Sequence, residues 1–245
     1  MRVKISFLRD HSSANSIPLH HQKLLTDSLT PFFESLATEK GLWNFSSLKG
    51  TSKIMNGFMR MLSSKVTLVI SGKNKEYLDA VLKMIFERPF LTVGKMNLIP
   101  KTYDIIPDPV IQTKMRYLCI SPLILFDPNK DVDKAQSQID PTSHEFSDIL
   151  YNDVLDRMEK AGYTEAQLND FAEFEFMPDQ DYVTKINTTG KKFARFYKSV
   201  SGHTMMGYLL PFTLHAHNEV HKYIWEVGFG VLTDEGYGMI DIVTK

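Results

Sequence analysis

The chain has a single cysteine, Cys119, in 245 residues. It can form no internal disulfide, and one thiol in an apolar strand-like run reads as a buried residue of a reducing compartment. Long hydrophobic runs are also missing. No stretch approaches the roughly 18 apolar residues of a membrane span, and the alternating first eight residues do not make a signal peptide. A cytoplasmic protein with no membrane partner is expected. No Gly-Lys-Ser/Thr follows the glycine cluster near the C-terminus, and its spacing differs from the dinucleotide fingerprint, so no nucleotide cofactor is expected. His203, His215, His217 and His221 are grouped. No carboxylate or cysteine set accompanies them beyond Glu219, so no metal and no cofactor are expected.

Neither disorder nor a strong overall charge is present. Hydrophobic residues make up 43% and charged residues 23%, an ordinary globular balance. The formal net charge of −1 conceals segregation. Residues 1–139 carry 19 basic and 12 acidic side chains, a sum of +7. Residues 140–180 carry 2 basic and 11 acidic, or −9, and residues 181–222 carry 6 basic and 2 acidic, or +4. Basic segments separated by an acidic one suit a polyanion on one face. They also suit solvated faces with no ligand.

Periodicity supplies an element order. Residues 2–9 alternate as a strand. Ile17-Pro18 opens a helix striped by Leu24, Leu25, Leu29 and Phe32. Pro31 ends or kinks it, and a further piece runs to Lys40 before Gly41. Residues 54–62 and 66–70 read as strands, 74–88 as a helix and 90–106 as extended chain. Pro107-Asp108-Pro109 reads as a linker. Strand-helix-strand-strand-helix-strand is the ferredoxin-like pattern.

After the linker the order recurs. Residues 115–126 read as a strand. Thr142 to Glu145 forms a capping box for a helix carrying Phe146, Ile149, Leu150, Val154 and Met158. Residues 182–186 and 193–200 read as strands, 204–217 as a return strand, 218–225 as a helix and 237–243 as the last strand. The expected fold is α+β, with two tandem ferredoxin-like (RRM-like) domains at 1–108 and 109–245 and a glycine-rich loop at 228–238.

Two segments carry candidate chemistry. Gly228-Phe229-Gly230 and Gly236-Tyr237-Gly238 are Gly-aromatic-Gly units five residues apart. Such a loop can expose N–H groups to phosphate oxygens, with each aromatic stacked on a base or packed inward. Lys185, Lys191, Lys192, Arg195 and Lys198 interleave with Phe193, Phe196 and Tyr197 on an expected basic hairpin. Cations and aromatics on strands suit RNA phosphates and bases, and the same aromatics suit a core.

The glycine stretch with this layout resembles the CRISPR repeat-processing endoribonucleases of the repeat-associated mysterious protein (RAMP) superfamily. Val227 through Met239 resembles the family's glycine-rich signature. Residues 17–22, Ile-Pro-Leu-His-His-Gln, resemble the opening of its first helix. Leu48-Lys49-Gly50 and Ser121-Pro122-Leu123 resemble two further segments, so the likeness spans the chain.

The resemblance implies binding of CRISPR repeat RNA and metal-independent cleavage of precursor transcripts within repeats. The 2′-hydroxyl attacks the adjacent phosphate and leaves a 2′,3′-cyclic phosphate. That chemistry needs a base, an acid and a cation. Some members use a histidine where this chain has Ser46, and a tyrosine where it has Thr30. His20 and His21 are then the candidate bases and Lys53 the candidate cation. Lys49, the basic hairpin and the loop residues Gly228, Phe229, Gly230, Gly236, Tyr237 and Gly238 are candidates for RNA binding. The resemblance also allows a CRISPR effector complex or a homodimer. A catalytically inactive repeat-RNA-binding subunit is the first alternative. A small-molecule enzyme of ferredoxin-like fold is the second, and no residue set for one is visible. Cleavage is the expected activity.

Overall fold

Residues 1–35, 42–127, 139–189, 194–198 and 201–243 are described by the computed structural model. The chain opens with strand β1 (Arg2–Arg9), whose Val3, Ile5 and Phe7 enter a core. Then follow β2 (Ser16–Pro18), helix α1 (Gln22–Glu34), β3 (Trp43–Phe45), β4 (Ser52–Met55), β5 (Phe58–Met61) and β6 (Lys65–Gly72). Helix α2 (Lys75–Glu87), β7 (Leu91–Val93) and β8 (Met96–Ile106) complete the first half. One antiparallel sheet has the order β3-β6-β1-β8-β7. Without the short β7, that is the ferredoxin-like arrangement of second, third, first and fourth strands. Helix α1 buries Leu25, Leu29 and Phe33 against it, and α2 buries Leu78, Val81, Leu82 and Ile85. Asn74 caps α2 by accepting a hydrogen bond from the Tyr77 amide at 2.9 Å.

The second half repeats the plan. It contains β9 (Lys114–Cys119), α3 (His144–Lys160), α4 (Glu165–Asn169), β10 (Phe174–Pro178), α5 (Gln180–Thr189), β11 (Ala194–Lys198), β12 (Thr204–Tyr208), β13 (Pro211–Ala216), α6 (Asn218–Val227) and β14 (Ile240–Ile242). Its sheet order is β10-β13-β9-β14, the same arrangement again. Helix α5 and the β11–β12 hairpin are inserted between its second and third strands. Cys119 is buried, which pushes its thiol up to about 12. No helix among the described residues is long and apolar enough to cross a membrane.

Several local expectations are corrected. Ile17-Pro18 does not open α1. Ile17 is buried in β2 and pairs with Met59, and Pro18 ends that edge strand, where a missing N–H is tolerated. Pro31 does not end α1, which continues to Glu34. The expected piece to Lys40 and the stop at Gly41 lie outside the described residues. Residues 54–62 are a hairpin, because Asn56 and Gly57 adopt φ of 50° and 77°, the two-residue turn that Asn-Gly favours. Residues 182–186 are helical: the Asp179 carboxylate accepts from the Tyr182 amide at 2.9 Å and starts α5. Residues 204–217 break into two strands before Pro211. Thr142 bonds Asp140 rather than forming a capping box. The box that does form is Thr164 with Gln167, on α4.

The glycine stretch joins the halves. Gly228, Gly230, Gly236 and Gly238 have φ of 88°, 78°, 78° and 69°, a region open to glycine at little cost. The Phe229 amide donates to the Gly238 carbonyl at 2.8 Å, so the two units clasp each other. Side chains of the first half hold the clasp. Gln22 donates to the Gly236 carbonyl, Asn44 to the Tyr237 carbonyl at 2.8 Å, and Thr26 to the Glu235 carbonyl at 2.9 Å. The buried Arg2 donates to the Ile240 carbonyl and lies 3.8 Å over the Trp225 ring. From the second half, Arg157 donates to the Gly230 carbonyl at 2.8 Å.

His21 fixes the entrance to α1. Its ring is only 4% exposed. Nδ1 lies 3.2 Å from the Leu19 carbonyl, and Nε2 lies 3.1 Å from the Leu48 amide. An amide can only donate, so Nε2 accepts, Nδ1 carries the proton and the ring is neutral. Burial pushes its pKa down to about 4.

Two outcomes are expected. A Cβ at Gly238 would lie 1.8 Å from the Phe229 carbonyl oxygen, whereas one at Gly202, φ +90°, would meet nothing within 4 Å. Gly202→Ala should cost about 1 kcal/mol from backbone strain alone. Gly238→Ala should cost at least about 2 kcal/mol more, because the clash is with backbone. Urea unfolding of both variants measures this, and equal costs would remove the clasp argument. The second outcome concerns His21. The unfolded ring takes a proton near pH 6.5 and the folded ring only near 4. Stability is therefore retained above about 6.5 and falls with pH towards 4, by about 3 kcal/mol. Melting curves of wild type and His21→Gln between pH 4 and 7 should diverge by that amount. Parallel curves would show that His21 does not carry the titration.

Candidate nucleic-acid interface

The glycine loop faces inward. The amides of Gly228, Phe229, Gly236, Tyr237 and Gly238 already donate to carbonyls of the chain. Phe229 is fully buried against Phe212, with ring centroids 5.7 Å apart, and Tyr237 is buried beside Tyr197. These amides form no free phosphate cradle, and neither aromatic offers a face to a base. Gly228, Phe229, Gly230, Gly236, Tyr237 and Gly238, expected at the RNA, are instead the joint between the halves.

The two places where the resemblance expects a histidine and a tyrosine are also closed to phosphate. Ser46 is fully buried: its Oγ accepts from the Val69 amide at 3.0 Å and donates to the Ser47 carbonyl at 2.9 Å. Thr30 lines a cleft of about 390 Å³ that it shares with Asp27, Glu34, Asp234 and Glu235. Four carboxylates around one cleft repel a phosphodiester.

The candidate bases separate. His21 has both ring nitrogens engaged, so it offers no lone pair to a 2′-hydroxyl. His20 is exposed, and its ring meets that of Tyr197 edge-on, with centroids 4.8 Å apart. Partial burial and then the charge of Arg195 lower its pKa, which keeps it neutral near pH 7. The structure thus brings His20, before α1, to the inward face of β11, where Arg195 and Tyr197 lie.

The cations also divide. Lys185 is on α5, not on a hairpin, because 182–186 is helical. Lys191 and Lys192 lie outside the described residues. Arg195 and Lys198 are on β11 and point to opposite faces, Lys198 with the exposed Phe196. Lys49 is exposed beside Thr67, to which its backbone is doubly bonded at 2.8 and 2.9 Å. Desolvation lowers its pKa although Asp241 raises it. Lys53 is exposed on β4, directly opposite Arg60 of β5.

Reading the sequence missed Phe58, Arg60 and Met55, exposed on that same hairpin. The signal was Asn56-Gly57. Once the turn is placed there, Lys53 pairs with Arg60, and Met55 with Phe58. The grouped histidines are taken up separately. His217 accepts from the Glu219 amide at 3.2 Å to cap α6, and His221 bonds the Tyr117 hydroxyl at 2.8 Å. Among the described residues no three of His, Cys, Asp and Glu converge as a metal site would require.

Comparison with known proteins bears on these surfaces. Residues 106–242, more than half the chain, match the family model for CRISPR associated protein Cas6, C-terminal. A CRISPR-associated endoribonuclease-like protein Cas6 of Pyrococcus furiosus is 24% identical over 212 residues, which cover 86% of this chain and 82% of that protein. A second such protein, Cas6nc of Pyrococcus horikoshii, is 21% identical over 85% of this chain and 82% of its own length. Two solved structures share the fold. The product of a Cas6-related gene from Pyrococcus furiosus superposes with a TM-score of 0.82 at 22% identity, over 100% of this chain and 99% of the other. A structure described as a RAMP protein binding different RNA substrates gives 0.79 at 20% identity, over the whole of both chains. The chain, built from two ferredoxin-like sheets clasped by a glycine loop, belongs to the CRISPR-associated Cas6 family.

Proposed function

We propose that this protein binds CRISPR repeat RNA and holds it without cutting it. The observation that carries the reading is the acidic cleft around Thr30. The place where the resemblance expects a tyrosine is ringed by Asp27, Glu34, Asp234 and Glu235. Ser46, at the place where the resemblance expects a histidine, is buried with its hydroxyl bonded within the chain. The RNA grip belongs to Lys49, Lys53, Arg60, Arg195 and Lys198, which are cationic and reach the surface. That a protein of the same fold is described as binding different RNA substrates supports the binding half of the reading. We divide the chain at 108/109 into two units. Separate sheets and separate cores, from Val3 to Leu98 and from Met115 to Ile240, support that division. Work on RNA also suits a cytoplasmic protein.

His20 supports a second reading, as a metal-independent nuclease. It is neutral near pH 7, its ring has no hydrogen bond among the described contacts, and Arg195 lies close enough to lower its pKa. In that role His20 would take the proton of the 2′-hydroxyl while the 2′-oxygen attacks phosphorus. Arg195 would offset charge on the phosphorane. The 5′-oxygen would leave with a proton from water, and a 2′,3′-cyclic phosphate would remain.

The test incubates purified protein with the repeat RNA in excess chelator. A shifted complex and intact RNA are expected. Log affinity should fall linearly with log salt, by about 0.7 for each phosphate neutralised on a single strand. A product with a cyclic phosphate, absent with a 2′-deoxy substrate and lost in His20→Ala, would replace the first reading with the second. RNA that is neither bound nor cut would remove both.

A further inference from the structure

The three-stranded sheet β2-β5-β4 has one face in solvent. Its register puts Ser16, Arg60 and Lys53 in one row across the strands, and Pro18, Phe58 and Met55 in the next. Cross-strand neighbours of this kind stand about 5 Å apart and share a face. The opposite face buries Ile17, Met59 and Met61 in the first core. On the open face Phe58 is 50% exposed and Met55 48%. Arg60 and Lys53 are exposed, and neither forms an ion pair among the described residues. None of the six residues is acidic.

An apolar row and a cationic row side by side, with no acid between them, need a ligand that is planar and apolar on one side and anionic on the other. An unpaired nucleotide has that chemistry: its base can stack on Phe58, with Met55 and Pro18 at the ring's edges, and its phosphates can reach Arg60 and Lys53. A duplex does not, since its bases are already stacked and paired. The cation row also argues against a second copy of this face, which would set like charges opposite each other.

We infer that the β2-β5-β4 face is a stacking platform for unpaired nucleotides of the repeat RNA. The inference rests on the RNA-binding reading above and adds the place and the strandedness. The platform is tied to the strand entering α1, because the Leu19 amide donates to the Gly57 carbonyl at 2.7 Å. A nucleotide held there therefore adjoins the segment that carries His20.

The test measures affinity for a short labelled single strand of the repeat sequence, and for the same strand annealed to its complement. Wild type, Phe58→Ala, Arg60→Gln and Phe90→Ala are compared, with circular dichroism as the check of folding. Phe90, 43% exposed, is an aromatic of the first half that lies outside these three strands. Phe58→Ala should weaken single-strand binding roughly five- to a hundred-fold, the loss of about one stacked base, and leave its salt slope unchanged. Arg60→Gln should reduce that slope by about 0.7. Phe90→Ala should change neither. Unchanged single-strand affinity in Phe58→Ala overturns the platform, as does an equal loss for single strand and duplex. Loss of self-association in Phe58→Ala at constant RNA affinity overturns it in favour of a protein interface. A wild type that binds neither probe overturns the RNA-binding reading itself.

Discussion

One backbone contact holds this molecule together: the Phe229 amide on the Gly238 carbonyl, made by glycines that alone tolerate the approach. It closes the loop into a compact clasp whose carbonyls point outward to Gln22, Thr26 and Asn44. The second half presents acceptors and the first half presents donors. Arg2 repeats the pattern at Ile240. Each of these donors is a polar side chain buried at the joint, so replacing the opposing acceptor geometry while the joint stays closed would strand a buried donor, at about 1–3 kcal/mol for a group such as the Asn44 amide. A small apolar cluster of Val69, Ile120 and Met239 fills the space between the sheets. The halves thus keep one geometry although their sheets do not join.

That constraint bears on where the proposed RNA contact can lie. A glycine loop offers amides either to a ligand or to its own chain. Here they serve the chain, so affinity for a polyanion must come from side chains. Among those, the field of the surface selects. Carboxylates surround Thr30, while Lys53, Arg60, Arg195 and Lys198 stand where no acid is paired with them among the described residues. Phosphate contacts in general supply affinity without sequence, and in the proposed interface the exposed aromatics beside these cations would add preference for unpaired bases.

Much of the fold was legible in the sequence because hydrophobic period and order suffice for a ferredoxin-like plan. The alternation of β1 and the 3.6-residue stripe of α2 each point to one structure. Where two periods fit equally, tertiary context decided. Residues 182–186 alternate acceptably, but the Asp179 cap makes them helical, and that moved Lys185 off the hairpin. The Asn56-Gly57 turn is legible as a dipeptide, and only with the turn placed there does Lys53 pair with Arg60. The glycine motif showed that backbone must come close to something. It could not show whether that something was phosphate or a carbonyl of the same loop.

His20 and His21 show why the site was less legible than the fold. As neighbours on a helix they would diverge by about 100°, yet both precede α1. One ring turns into the Leu48 loop and the other towards Tyr197 and Arg195. A general base needs a free lone pair before it needs a suitable pKa. His21 lacks the lone pair, and burial has also removed its basicity. His20 keeps the lone pair, but the cation that would help a phosphorane also weakens it as a base. Such a pairing suits holding a phosphate more than activating a hydroxyl, so on the proposed reading one exposed ring is where gripping and cutting would diverge.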